Sequence, residues 1–287
     1  FGTDGIRCLV NKEPLTTENC LKISIIVAYL LSSKKPTPKR VIICKDTRLS
    51  GYLYEPLVTA GFVSMGVEVI LVGPLPTPSV PLLIKTLRAD IGVMITASHN
   101  TFEYNGLKFF DSKGFKLKSD VEKKVEKIIS NPKSYLNIIN NNHKTGKALR
   151  LEDASGRYSE YLKSTLNKKN KPKQYKIVLD CANGATYIVA PSIFWELGHT
   201  VISINASPNG ININQNCGAV DLRELKKTVI SNKANIGFAF DGDGDRLIVV
   251  DETGNLIDGD KILALFAKYL LNKNLNKSKN VVVSTLM

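Results

Sequence analysis

Three aspartates at alternate positions, Asp241, Asp243 and Asp245, stand in the run Asp-Gly-Asp-Gly-Asp-Arg. Carboxylates at this spacing face one point only if the backbone bends, and Gly242 and Gly244 accept the positive φ that such a bend needs. Three negative charges gathered there repel one another unless a cation sits among them. An all-oxygen set with few protein ligands suits Mg²⁺ beside a phosphate. A calcium EF-hand is the nearest alternative, since Asp241, Asp243 and Asp245 match its alternate ligand positions and Glu252 its last one. That loop requires glycine where Arg246 stands, and its flanks are helices. Here the flanks, Ile236 to Phe240 and Leu247 to Val250, read as strands. A merely solvated acidic turn is the bland alternative.

A second run, Thr96-Ala97-Ser98-His99-Asn100, follows the apolar stretch Ile91 to Ile95. It puts Ser98 at a strand end, where open α/β sheets collect their ligands. A Ser-His-Asp triad fits poorly: His99 is the adjacent residue, neighbouring side chains in extended backbone point apart, and no G-x-S-x-G elbow surrounds the serine. Taken alone, a loop serine is more often a turn residue than a nucleophile. Phe1-Gly2-Thr3-Asp4-Gly5-Ile6-Arg7 is a glycine-rich loop with an arginine, whose planar fork suits an anion. An ordinary glycine turn with a surface arginine would look the same. Asn105-Gly106-Leu107-Lys108 is a turn leading to a lysine, equally weak in isolation.

The elements that must carry these loops alternate short β-branched runs with helical patterns, which predicts βαβ units and a mainly parallel sheet. Ile23 to Leu31 reads as a buried helix. Arg40 to Cys44 is a strand ending near Asp46, Tyr54 to Met65 a helix closed by Gly66, and Val67 to Val72 a strand. The order recurs: strand Lys176 to Leu179, Asp180, helix Ala185 to Leu197 with Pro191 in its first turns, Gly198, then strand Thr200 to Ile204. This reads as a duplicated α/β domain. Asn131 to Lys147, rich in Asn and Lys, is expected to be a linker, as is the lysine-rich run Lys168 to Lys176. A third unit is expected from Gly259, with helix Lys261 to Leu271 and strand Asn280 to Ser284. Ending on that strand, the chain is expected to continue beyond Met287; lacking an initiator Met, it is expected to be preceded by a few residues.

The 287 residues are 43% apolar and 23% charged, as in ordinary globular proteins. No run approaches the roughly 18 to 20 apolar residues of a membrane span, and the opening residues, Phe-Gly-Thr-Asp, do not read as a signal peptide. The five cysteines, Cys8, Cys20, Cys44, Cys181 and Cys217, are scattered without a CxxC pair. They are expected to be reduced thiols of a cytoplasmic protein. The net charge of +13 comes mostly from dispersed lysines, without interleaved aromatic residues as stacking platforms. Neither a nucleic-acid nor a membrane partner is expected.

Together, FGTDGIR, TASHN, NGLK and DGDGDR resemble the α-D-phosphohexomutase family, in its order and at its spacing, from Phe1 to the end of the chain. Within the family, Gly73 to Val80, the run after TASHN to Lys116, and Asn209 to Ala219 are similar to the bacterial branch that acts on glucosamine phosphates. Cys8 and Thr101 depart from the pattern, which has Gly and Pro there; both bear on loop rigidity. The resemblance implies repeated mixed and parallel-sheet α/β domains: domain 1 at 1–150 ending in a linker, domain 2 at 151–255, and the start of domain 3 at 256–287, with domain 4 absent. It implies a phosphoserine at Ser98 and one Mg²⁺ held by Asp241, Asp243, Asp245 and a Ser98 oxygen. Ser98, His99, Lys108 and Arg7 would be catalytic, and Arg7, Lys108 and Arg246 would bind phosphate; His99 and Lys108 both stand as general acid or base. The implied reaction interconverts glucosamine 6-phosphate and glucosamine 1-phosphate through a 1,6-bisphosphate, with glucose or glucosamine 1,6-bisphosphate as activator, and feeds UDP-N-acetylglucosamine and cell-wall synthesis. The substrate is a hexosamine phosphate, and a homodimer is left open. The stretch in hand would be inactive alone. Alternatives are phosphoglucomutase or phosphomannomutase chemistry in the same family, a Mg²⁺ phosphatase using Asp241 and Asp243, and a degenerate scaffold.

Overall fold

The computed structural model describes residues 1–2, 5–32, 39–166 and 173–272. The first part of the chain runs β1 (Ile6–Leu9), α1 (Thr17–Ser32), β2 (Arg40–Lys45), α2 (Gly51–Val63), β3 (Glu68–Pro74), α3 (Ser79–Leu87), β4 (Ile91–Ile95), β5 (Tyr104–Phe110), α4 (Ser119–Ile129), α5 (Pro132–Asn140) and β6 (Ala148–Arg150). The second runs α6 (Ala154–Ser164), β7 (Lys176–Asp180), α7 (Val189–Glu196), β8 (Thr200–Ile204), α8 (Arg223–Ser231), β9 (Ile236–Phe240), β10 (Leu247–Asp251), β11 (Leu256–Ile257) and α9 (Gly259–Asn272).

Two mixed sheets result among the described residues, ordered β1-β5-β4-β2-β3-β6 and β11-β10-β9-β7-β8. In the first, β4, β2 and β3 are parallel and β5 is antiparallel to β4. In the second, β9, β7 and β8 are parallel and β10 is antiparallel to β9. The repeat read from the sequence is therefore a repeat of topology. The Ser98 loop, between β4 and β5, and the aspartate loop, between β9 and β10, are the same turn of the two copies.

β4 is buried along its whole length, as befits a central strand covered on both faces. On one face, α1, α2 and α4 supply Ile26, Phe62 and Val125 to a core with Val41 and Ile43. On the other, Ile42, Cys44 and Met94 meet α3, and also Tyr158 of α6 and Val189 and Ile193 of α7. That second core contains residues of both copies. Each such side chain, once buried, contributes about 1.5–3 kcal/mol, and together they hold the two loops in fixed relation.

The structure departs from the expected elements where loops compete for backbone. α2 begins at Gly51 rather than Tyr54, because the Tyr54 amide already donates to the Ser50 carbonyl at 3.0 Å. α7 begins at Val189 rather than Ala185: the Ala185 amide donates instead to Gly242 of the aspartate loop at 2.8 Å. Residues 131–147 are not a linker. Asn131 caps α5 through its side chain, Pro132 takes the first helical position, and Ile138 is buried with the first core. The chain then enters β6, which pairs with β3. The Asn-rich composition belongs to the solvent face and hides the apolar spacing. α9 covers the expected helix of a third unit; the expected strand Asn280 to Ser284 lies outside the described residues, as do most of the lysines of the run from Lys168. All five cysteines are free, and no described helix is long and apolar enough to cross a membrane.

Candidate active site

The two equivalent loops face each other across the seam between the sheets. Ser98 sits in left-handed backbone, φ +51°, directly after β4. Its amide donates to Thr96 Oγ1 at 2.9 Å, and Thr96 Oγ1 donates to Asp46 Oδ2 at 2.6 Å. The Ser98 hydroxyl is thereby aimed out of the first copy, and it donates to Asp241 Oδ2 at 2.7 Å.

In the second copy, the aspartate loop turns through Gly244, φ +67°. Asp241, Asp243 and Asp245 present one oxygen each within 4.8 Å of one another; the first two are buried and the third is exposed. Burial lifts the Asp241 carboxyl to about 7, helped by repulsion from Asp243 and Asp245. Asp243 is pushed up by burial as well, but the Lys108 ammonium outweighs this and holds it below the usual carboxylate range. Lys108, brought in by β5, donates to Asp243 Oδ2 at 2.9 Å and to Asp245 Oδ2 at 3.2 Å. Thr77 also donates to Asp243 Oδ2, at 2.6 Å, leaving Asp243 Oδ1 buried without a hydrogen-bond partner.

Arg7 lies on β1, opposite Gly106 of β5, and reaches Asn100 Oδ1 at 3.2 Å. Arg7 and Arg246 together line an open cleft of about 580 Å³ with Gly2, Gly5 and Pro14. The Arg246 amide donates to Asp241 Oδ1 at 3.2 Å, which seats its side chain at the mouth of the aspartate loop. His99 is half-buried, and burial together with Arg246 and Arg7 lowers its ring pKa from the ordinary value. Its Nδ1 lies 3.4 Å from Ser98 Oγ. The sequence-based expectation that these neighbours point apart is corrected here: it assumed extended backbone, and the left-handed turn at Ser98 swings the two side chains to the same side.

All the residues expected from the sequence thus gather in one place: Ser98, His99, Lys108 and Arg7 from the first copy; Asp241, Asp243, Asp245 and Arg246 from the second. Sequence reasoning missed Thr77, Asp46, Arg48 and Asn214, which hold these groups. Asp46 carried a weak signal, since it ends a strand as Asp180 does in the other copy. Each accepts a hydrogen bond from the amide two residues on, at 3.0 Å. Chemically, the assembly places a hydroxyl against an acidic cluster with room for a cation, beside a cleft whose two arginines suit phosphate oxygens.

The phosphoglucomutase/phosphomannomutase family matches in two parts: alpha/beta/alpha domain I over residues 1–136 and alpha/beta/alpha domain II over residues 156–254. The phosphoglucosamine mutase of Thermodesulfovibrio yellowstonii is 47% identical over 287 residues, covering all of this chain and 63% of the relative. That of Pelobacter propionicus is 46% identical over 286 residues, with the same shares. The chain therefore spans under two thirds of the length of these relatives. Among solved structures, a phosphoglucomutase/phosphomannomutase family protein from Burkholderia thailandensis superposes with a TM-score of 0.78 at 25% identity, covering 94% of this chain and 58% of that one.

Proposed function

This chain belongs to the phosphoglucomutase/phosphomannomutase family, and we propose that it is the phosphoryl-carrying and metal-binding part of a phosphoglucosamine mutase. The observation that carries this reading is the Ser98 hydroxyl, 2.7 Å from Asp241 within the three-aspartate cluster. The whole protein would interconvert glucosamine 6-phosphate and glucosamine 1-phosphate in the cytoplasm, serving amino-sugar and cell-wall precursor synthesis. We assign residues 1–150 to its first domain, 151–255 to its second and 256–287 to the start of a third.

The residues present fit Mg²⁺. The donors are all oxygens, they converge, and Asp243 Oδ1 is buried and lacks a partner. Asp241, Asp243 and Asp245 would hold the ion together with an oxygen on Ser98. When bound, it supplies charge stabilisation for the transferring phosphoryl group and for the serine oxygen as it leaves.

The chain's own residues do the rest. Phosphorylated Ser98 gives its phosphoryl group to the free hydroxyl of the sugar phosphate, forming a 1,6-bisphosphate. In balance, the P–Oγ bond breaks, a P–O bond to the sugar forms, and the proton of the sugar hydroxyl ends on Ser98 Oγ. That proton then points to Asp241 Oδ2, as the free hydroxyl does in the structure. His99, with a lowered pKa, is neutral at neutral pH and is the better candidate to relay the proton; Lys108 is already committed to two carboxylates. Arg7 and Arg246 bind phosphoryl oxygens in the cleft. The other phosphate of the reoriented bisphosphate returns to Ser98, and free glucose or glucosamine 1,6-bisphosphate primes the serine in the same way.

Intact-mass measurement after incubation with glucose 1,6-bisphosphate and Mg²⁺ tests the reading. A stable adduct of about +80 Da, one phosphoryl group, is expected and is lost in Ser98→Ala. No adduct, or one that survives the substitution, refutes it. Assay of the whole protein on glucosamine, glucose and mannose 6-phosphates tests the sugar, with turnover of the first expected to be fastest.

A further inference from the structure

Arg48 is a large, fully buried side chain that carries a charge. Its Nε donates to Asp46 Oδ2 at 2.9 Å. Its terminal nitrogens donate to three backbone carbonyls of the serine loop: Ser98 at 3.0 Å, Asn100 at 2.8 Å, and Thr101. Three carbonyl dipoles thus converge on one guanidinium, which is fully shielded from water. From the second copy, Asn214 Nδ2 donates to two of the same carbonyls, Ser98 and Asn100, at 2.8 Å each. Only its amide nitrogen can face two carbonyls, so the orientation of the Asn214 side chain is settled. Asn214 is in turn anchored by its own amide to the Ala182 carbonyl at 2.9 Å. The aspartate loop closes over this junction: a Cβ at Gly242 would lie 2.6 Å from Asn214 Nδ2 and 2.7 Å from the Ser98 carbonyl.

We infer that Arg48 and Asn214 are positioning residues that clamp the Ser98 loop from the two copies of the fold, setting Ser98 Oγ against the aspartate cluster. The inference rests on the reading of Ser98 and the aspartates given above. Each carbonyl that matters is shared, one donor from each side. The left-handed turn at Ser98 is therefore held from both copies of the fold at once. Their hydrogen bonds to the loop run to its backbone carbonyls and none reaches Ser98 Oγ or the three aspartates; they act through the loop.

Asn214→Ala and Arg48→Lys test this. Asn214→Ala leaves Ser98 and Asn100 one donor each, from Arg48, so the fold is retained even if the arginine variant does not fold. Two readouts are expected to move. Amide hydrogen exchange at residues 98–101 rises about ten-fold or more, as for loss of two hydrogen bonds, while β4 and β5 keep their protection. The Kd for Mn²⁺ rises about ten- to one-hundred-fold, as when the groups supporting metal ligands are removed. Unchanged loop exchange with Mn²⁺ affinity within about two-fold of the parent overturns the inference. So does exchange that rises evenly across the domain, the mark of a merely structural role. A parent protein that binds no Mn²⁺ refutes the metal reading instead, and the exchange measurement then decides the clamp by itself.

Discussion

Replacing Lys108 by Met keeps most of the side-chain volume and removes the ammonium between Asp243 and Asp245. The parent ion pair is buried on the Asp243 side: the side chains of Lys108 and Asp243 are 4% and 0% exposed, that of Asp245 30%. Removing one partner of a buried pair typically costs 3–5 kcal/mol, because the other charge is left uncompensated. Asp245 remains partly hydrated, so only the Asp243 contact counts in full, and the lower end, about 3 kcal/mol, is expected. At roughly 2–4 °C per kcal/mol for a domain-sized chain, this lowers Tm by about 6–12 °C in metal-free buffer. Mg²⁺ offers a replacement cation in the same cluster. A ligand at one hundred times its Kd stabilises the folded state by about 2.7 kcal/mol, and the gain is expected to be larger in the variant than in the parent. Thermal unfolding followed by circular dichroism, with and without Mg²⁺, reads both effects. The reasoning is refuted if Lys108→Met melts within about 1 °C of the parent without metal, or if Mg²⁺ raises both melting temperatures equally.

Two further outcomes follow from close contacts and burial. Gly184→Ala places a Cβ 2.4 Å from the Gly242 carbonyl oxygen and 2.6 Å from Gly242 Cα, so the aspartate loop must shift; loss of most Mn²⁺ affinity is expected in a variant whose far-ultraviolet dichroism is unchanged, as checked by titration calorimetry. Burial lifts the Asp180 carboxyl from 3.8 to about 6, against the pull of the Ala182 and Gly218 amides that donate to it. A folded-state pKa above the unfolded one means that the folded state holds the proton more tightly. The contribution is therefore fully present below pH 3.8 and is lost as pH rises through about 6, a change of about 3 kcal/mol. Denaturant unfolding from about pH 3 to pH 7 should show Asp180→Asn losing about 3 kcal/mol less than the parent over this window; identical slopes would show that Asp180 does not titrate there.

The aspartate loop was legible in the sequence because its chemistry is local: five consecutive residues carry three carboxylates, Gly244 whose positive φ turns the loop, and Gly242 where a Cβ would strike Asn214. The duplicated strand–helix–strand order was legible for a similar reason, since hydrophobic period and terminating glycines are short-range signals. The segment 131–147 was not, because its capping Asn and first-turn Pro were outweighed by a polar composition that belongs to its exposed side. The meaning of Ser98 came from the family pattern and not from its neighbours. What makes it special is a left-handed backbone and a hydrogen bond to a residue 143 positions away.

By itself, then, the sequence determined which residues could bind a cation or an anion and which strands would carry them. Only the tertiary structure decided that the two loops are equivalent turns of two copies of one fold, and that they face each other. It alone revealed Thr77, Arg48 and Asn214, whose partners in the serine and aspartate loops lie between 50 and 166 residues distant. The physical reason is one of range. Backbone bends and ligand spacing are set by neighbours along the chain, whereas a buried carbonyl or carboxylate takes its donor from whatever element packs against it. That choice is made by the shared core around Ile42, Tyr158 and Ile193, which fixes where the second sheet sits against the first.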